Sequence, residues 1–212
     1  MKLYTTENAP NPRIIDMVLH EKGIKIERKM LDMMGGENRQ PAFLAKNPLG
    51  QLPALETDEG FVITEVTAIS EYLEEYRPDP ILVGANAIER GEARMWVRRV
   101  DLKVLAPMSL VFQNGRGRQF FEKRIKIWPE ILPAMEVRLA DGYAWLNESL
   151  AGKTFLCGDR LTYGDIMLYC FMDFFGKFSD PLDPSLAHVI AFYENMGKRK
   201  SAKATAGKLA KE

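Results

Sequence analysis

The chain has 212 residues, is 46% hydrophobic, and carries 29 basic and 29 acidic side chains. It can bury the core of one large or two small domains. Its zero net charge points to neither a nucleic-acid backbone nor an acidic membrane surface as a partner. The two cysteines, Cys157 and Cys170, are too few for a disulfide scaffold and lack metal spacing. A reducing cytoplasm is therefore the expected compartment, and no metal site is expected. The chain opens with no basic-then-apolar leader, and no apolar run approaches ~18–20 residues, so neither secretion nor a membrane span is expected.

Lys2-Leu3-Tyr4-Thr5 reads as a short strand. Asn11 is predicted to cap a helix with Pro12 at its first position, where a missing N–H costs nothing. Ile14, Ile15, Met17, Val18 and Leu19 supply its apolar face and Gly23 ends it. Lys25 to Met30 alternates as a second strand, and Gly35-Gly36 breaks the pattern. A short helical piece holds Phe43-Leu44 and ends near Asn47-Pro48. Leu52 to Glu56 and Phe61 to Ile63 form a predicted hairpin around Asp58-Glu59-Gly60. Thr64 is then expected to cap a helix running to Tyr76. The predicted order is β-α-β-α-β-β-α over residues 1–77.

Arg77 to Gly84, with two prolines, reads as a linker. Beyond it no strand pattern survives. Ala87–Gln113 and Gln119–Leu150 are two long amphipathic stretches, and Thr162–Phe178 and Ser185–Met196 are two shorter ones. Residues 86–204 are thus predicted to form an all-helical domain. The tail from Gly197 is rich in Lys and Ala and is expected to be a solvated end rather than a last amphipathic turn, with residues 205–212 as a mobile basic tail. Thr162-Tyr163-Gly164-Asp165 has the spacing of a capping box, with Leu161 and Ile166 placed as its hydrophobic staple. Asp165 is therefore expected to be structural.

Four segments carry a family resemblance: "GGENRQPAFLAKNP" (35–48), "NPLGQLPALE" (47–56), "ITEVTAISEYLEE" (63–75) and "FLCGDRLTYGDIML" (155–168). Their order and spacing resemble the cytosolic glutathione S-transferase superfamily over about residues 1–204. The resemblance implies an α/β thioredoxin-like domain followed by an all-α domain, cytoplasmic and homodimeric, with glutathione as co-substrate and a small hydrophobic electrophile as partner. It implies a cis Leu52–Pro53 bond that turns the Leu52 backbone toward the cysteinyl unit of glutathione. Gln51 and Arg39 are implied near the glycyl end, with Lys46 as a further carboxylate partner. Asn38 stands where some classes carry His. Glu65 is implied for the ligand's ammonium group, and Val66 and Thr67, at a helix start, for its γ-glutamyl carboxylate. Val66 replaces the family's usual serine.

The resemblance leaves thiol activation open. The serine of many members falls at Ala9 and the tyrosine of others near Thr5, so the chain resembles bacterial and fungal members lacking the usual Tyr, Ser or Cys. Strand alternation sends Tyr4 to the core if residue 5 faces the ligand. One reading has the helix started by Asn11-Pro12 stabilise the thiolate, with Thr5 or Thr6 adding a hydrogen bond, or Gln113, Asn114 or Arg116 supporting a water. Another is a binding or scaffolding protein without transferase activity. A third is a glutathione-dependent isomerase, lyase or dehalogenase. Asn8, Met108, Phe112 and Gln113 are the expected second-substrate pocket, although Met and Phe on a long helix equally suit a core.

Overall fold

The structure, a computed structural model, describes residues 1–179 and 181–207. The chain divides into two compact units, Met1–Val83 with Arg199–Glu212, and Gly84–Lys198. In the first unit β1 (Lys2–Thr5), α1 (Pro10–Glu21), β2 (Glu27–Met30), α2 (Pro41–Leu44), β3 (Ala54–Glu56), β4 (Val62–Thr64) and α3 (Val66–Tyr76) follow in order. The sheet order is β2-β1-β3-β4, with β2 parallel to β1 and the other pairs antiparallel. This is the thioredoxin-like layout expected for the N-terminal half. Tyr4, Leu31, Phe43 and Ala54 form a buried cluster with Leu52 and Val62. Leu3 and Leu55, of the opposite strand parity, are buried as well, as are Ile14, Ile15 and Val18 of α1 and Ile69 and Leu73 of α3.

Three boundaries differ from the sequence reading. Pro53 precedes β3 instead of lying inside a strand, so its missing N–H breaks no ladder bond. The N-cap of α1 is Ala9, not Asn11. Pro10 takes the first helical position, and the residue before a proline is pushed to extended backbone, which Ala9 adopts at φ −137°, ψ 145°. The N-cap of α3 is Glu65, and Thr64 ends β4 instead.

The linker is anchored by a buried ion pair that the sequence did not announce. Lys22 and Glu74 are 2% and 3% exposed, with Nζ 2.6 Å from Oε2. Lys22 also donates to the carbonyls of Arg77 and Pro80, both at 2.8 Å. Glu74 accepts the N–H groups of Leu82 at 3.1 Å and Val83 at 3.2 Å. Every charge-bearing atom thus finds partners, as burial demands.

The second unit is all-helical, as expected: α4 (Ala87–Val100), α5 (Ala106–Asn114), α6 (Arg118–Phe121), α7 (Leu132–Ser149), α8 (Tyr163–Phe175) and α9 (Ala187–Gly197). The predicted stretch Ala87–Gln113 is interrupted by a π turn at Asp101–Leu105, whose Ala106 N–H bonds the Asp101 carbonyl. Pro107 is the cause. It cannot donate to the Lys103 carbonyl four residues back, and its ring would clash there. That carbonyl instead faces Gly142 of α7, where an added Cβ would fall well inside contact distance. The predicted stretch Gln119–Leu150 is broken as well. Pro129 forces Trp128 out of helical geometry, and α7 starts only at Leu132.

Thr162 and Asp165 form the expected capping box at the start of α8. Asp165 is fully buried. Its carboxylate accepts the Leu156 N–H, the Thr162 N–H and the Thr162 hydroxyl, each at 2.8 Å. Burial pushes its carboxyl up to about 6, partly offset by these bonds.

Residues from Arg199 rejoin the first unit. α10 (Lys200–Ala204) packs on α1, with Ser201 and Ala202 buried. The Arg199 guanidinium reaches both Glu21 carboxylate oxygens, at 2.8 and 2.9 Å. The expected solvated end is therefore a docked helix up to Ala204; residues 208–212 of that expected tail lie outside the described residues.

Candidate active site

Strand register gathers the expected ligand segments. Tyr4 pairs with Ala54, and Ala54 with Thr64. The loop after Thr5, the Leu52-Pro53 step before β3 and the Glu65-Val66 step after β4 therefore leave the same end of the sheet. Thr5 also pairs with Met30, so the segment carrying Arg39 and Gln51 starts from that end too.

The Leu52–Pro53 bond is cis. The loop before it is held from within: Asn47 Nδ2 donates to the Gln51 carbonyl at 2.8 Å, and Asn38 Nδ2 to the Gly50 carbonyl at 2.7 Å. Asn38 is thus a buried structural brace. The Gln51 side chain is exposed. Arg39 donates to the Leu49 carbonyl at 2.9 Å, so its guanidinium both braces this loop and stays exposed. Lys46 is paired with Glu56 at 3.1 Å and lies 5.3 Å from the centre of the Tyr4 ring, so it already has a carboxylate and is not waiting for one.

Glu65 has φ 68° and ψ 125°, a region non-glycine residues avoid at a cost of about 1–3 kcal/mol. Such strain persists where the surroundings impose it and clusters at ligand sites. Here it swings the exposed Glu65 side chain out ahead of α3. The Val66, Thr67 and Ala68 N–H groups, at the first three helical positions, have no intrahelical acceptor. They form the positive end of α3.

At the start of α1 the arrangement is sparser. Pro10 and Pro12 carry no N–H, and the Arg13 N–H bonds the Ala9 carbonyl at 3.4 Å. Of the three leading positions only Asn11, itself exposed, offers an amide proton. Thr5 is 1% exposed and its hydroxyl has no partner among the described residues. Closed to solvent, it is a poor donor to a ligand; Thr6 is only half-buried. Tyr4 is buried, as strand parity predicted, and its hydroxyl donates to Glu56 at 2.5 Å. Burial, with Glu56 beside it, raises the Tyr4 phenol above its ordinary value, so it stays protonated and committed. Asn8 is exposed at φ 58°.

The remaining expected residues lie on α5 and just after it, in the second unit. Met108 is buried, 4% exposed. Phe112 stacks into an aromatic cluster, 5.1 Å from Phe175 and 5.0 Å from Phe178 between ring centroids. Gln113 is half-buried. Asn114 is buried and structural: Nδ2 donates to the Leu110 carbonyl at 2.8 Å and Oδ1 accepts the Trp128 N–H at 2.7 Å. Arg116 is exposed.

Residues 9–76 match the glutathione S-transferase N-terminal domain, and residues 119–204 the glutathione S-transferase C-terminal domain. A glutathione S-transferase domain-containing protein from Marinobacter aquaeolei has the same fold, with a TM-score of 0.87, 34% identity, and coverage of 95% of this chain and 100% of its own. The chain belongs to the glutathione S-transferase family. Glutathione S-transferase 2 of Saccharomyces cerevisiae is 28% identical over 208 residues, 96% of this chain and 88% of its own. The maleylacetoacetate isomerase of Pseudomonas aeruginosa is 29% identical over 175 residues, 79% of this chain and 78% of its own.

Two long-range contacts of α1 escaped sequence reasoning. Arg13, one turn into α1, donates to the Ala202 carbonyl at 3.2 Å. Glu21, at the other end of α1, holds Arg199 and the Ser201 hydroxyl. No local pattern could have found either, since the partners are 189 and 178 residues apart. Among the described residues no helix is long and apolar enough to cross a membrane.

Proposed function

We propose that the protein binds glutathione on its first unit and activates the thiol for attack on a hydrophobic electrophile. The carrying observation is the gathering of Leu52-Pro53, the bent Glu65 and the open start of α3 at one end of the sheet. In this reading the γ-glutamyl carboxylate lies on the Val66 and Thr67 N–H groups, and Glu65 takes the ammonium. The Leu52 backbone pairs with the cysteinyl unit, and Gln51 and Arg39 flank the glycyl carboxylate. No side-chain hydroxyl stands at Ala9, so the Asn11 N–H and the dipole of α1 are the stabilisers of the thiolate, with Thr6 as the accessible hydroxyl. A helix terminus contributes about 0.3–1 kcal/mol, up to ~2 when partly buried. That corresponds to about one pKa unit. The thiolate then forms a carbon–sulfur bond, and the electrophile's leaving group departs with its bonding pair.

A second reading is a glutathione-dependent isomerase, favoured by the similarity to maleylacetoacetate isomerase. It uses the same thiolate but regenerates glutathione. We also propose a homodimer. Ile88, Met95 and Leu102 are 85%, 40% and 42% exposed, and their seven-residue spacing places an uncovered apolar stripe along α4 and the π turn.

Calorimetric titration with glutathione, followed by ultraviolet titration of the thiol in the complex, tests the proposal. Binding with a lowered thiol pKa and loss of thiol on reaction with an electrophile is the transferase result. Binding with a lowered pKa but no net thiol consumption is the isomerase result. Binding with an unshifted thiol leaves a carrier, and no binding refutes both enzymatic readings.

A further inference from the structure

The C-terminal segment touches both flanks of the α1 N-cap. On one side Arg13 Nη2 donates to the Ala202 carbonyl at 3.2 Å, with Nε 3.5 Å from the Thr205 hydroxyl. On the other, the Gly207 backbone runs so close to Asn8 that a Cβ there would lie 2.8 Å from Asn8 Oδ1. Asn8 holds a left-handed backbone at φ 58°, a conformation its short polar side chain tolerates but does not enforce. Between these two contacts lie Ala9, which makes no side-chain cap, and a first turn in which only Asn11 carries an N–H. The segment is itself locked down. Arg199 grips Glu21 through two bonds, the Ser201 hydroxyl adds a third at 2.5 Å, and Ser201 and Ala202 are buried.

We infer that residues 199–207 are a positioning clamp for the start of α1, with Arg13 the residue that transmits it to the thiol site. The need follows from the sparse first turn. A helix start with several free amides tolerates a small shift, because another N–H takes over; one with a single amide does not. Aim at the sulfur then depends on how firmly the turn is held, and a displacement near 1 Å is enough to weaken a catalytic contact. Arg13 and the clamp are positioning elements, since neither is required to touch the ligand. The inference rests on the glutathione reading for its consequence, but not for its geometry.

The test uses the full-length chain with two substitutions. Arg13→Met removes the bonds to Ala202 and Thr205. Arg199→Met loosens the clamp from the far end of α1 and leaves the charge of Arg13 in place. Two quantities are read: the thiol pKa of bound glutathione, and hydrogen exchange of the peptide covering residues 5–16. Both variants are expected to melt cooperatively and to bind glutathione within about threefold of the parent. The thiolate fraction at neutral pH should fall by about threefold, and exchange over residues 5–16 should quicken while α3 stays protected. A change in the Arg13 variant alone would mean lost charge and would overturn the clamp, as would parental pKa and exchange in both. If the parent binds no glutathione, the proposed function fails while exchange still decides the clamp: faster exchange in both variants supports it, and unchanged exchange overturns it.

Discussion

Replacing Glu74 by Gln should be among the most damaging single-atom-scale changes in the first unit. The substitution keeps the size of the side chain and one acceptor oxygen. It removes the charge that lies 2.6 Å from Lys22 Nζ, in a pair whose side chains are 0% and 4% exposed. Lys22 is left as a buried cation facing only the carbonyls of Arg77, Pro78 and Pro80. The amide also turns one of its ends, an NH2 donor, toward the Leu82 and Val83 N–H groups that the carboxylate accepted. Breaking a buried pair from one side costs about 3–5 kcal/mol. For a chain of this length each kcal/mol moves the melting temperature by about 2–4 °C, so a fall of roughly 6–20 °C is expected. Thermal melts followed by circular dichroism, with urea titration for the free energy, measure it. Lys22→Met combined with Glu74→Gln should cost clearly less than the sum of the two single changes, because the second removes a charge already stranded by the first. A melting shift below about 2 °C, or strict additivity in the cycle, would refute the view that this pair anchors the linker.

Asp165→Ala should strand the Leu156 and Thr162 N–H groups, lowering stability and soluble yield by an amount near 3 kcal/mol while leaving activity per folded molecule close to the parent. Because the folded carboxyl lies at about 6 against an ordinary 3.8, the folded state binds its proton first. Its contribution is therefore fullest below about 3.8 and fades as pH rises through 6, so the parent's advantage over the variant should be larger at pH 5 than at pH 7; parallel urea titrations at the two values check the sign. Gly142→Ala should cost about 1–3 kcal/mol or more by forcing α7 away from the Lys103 carbonyl, read as a drop in melting temperature without loss of helical signal at low temperature. Ala9→Ser places a hydroxyl beside the start of α1, where turnover with an electrophile should increase at a nearly unchanged melting temperature; a more stable but slower enzyme would mean the serine instead caps the Asn11 amide. Met95→Glu should shift the particle mass measured by light scattering toward the monomer, and an unchanged mass would remove the α4 stripe from the interface.

What was legible in the sequence was local. The capping box at Thr162–Asp165 needs only four residues, so spacing alone revealed both the helix start and the structural role of the acid. The alternation in residues 2–5 placed Tyr4 in the core, and the segments around Pro53 and Glu65 resembled glutathione-binding turns before any register was known. Even the errors were short-range. Asn11 reads as a better cap than Ala9 until Pro10 is weighed for what it does to the residue before it. A continuous helical period from Ala87 hides the π turn that Pro107 demands.

Tertiary structure alone decided which charges and hydroxyls were free to act. Lys22 and Glu74, 52 positions apart, carry no local sign of each other, and burial makes them the anchor of the linker. Lys46 read as a ligand partner until the sheet brought Glu56 to it, and Thr5 read as a donor until burial took its hydroxyl out of solvent. The Lys- and Ala-rich end read as solvated until Glu21 and Arg13 gave it something to hold. Periodicity and capping are written within one or two turns of chain and survive without a fold. A charge or hydroxyl is spent or available according to neighbours that loop closure brings from far away, and those neighbours exist only once the chain is folded.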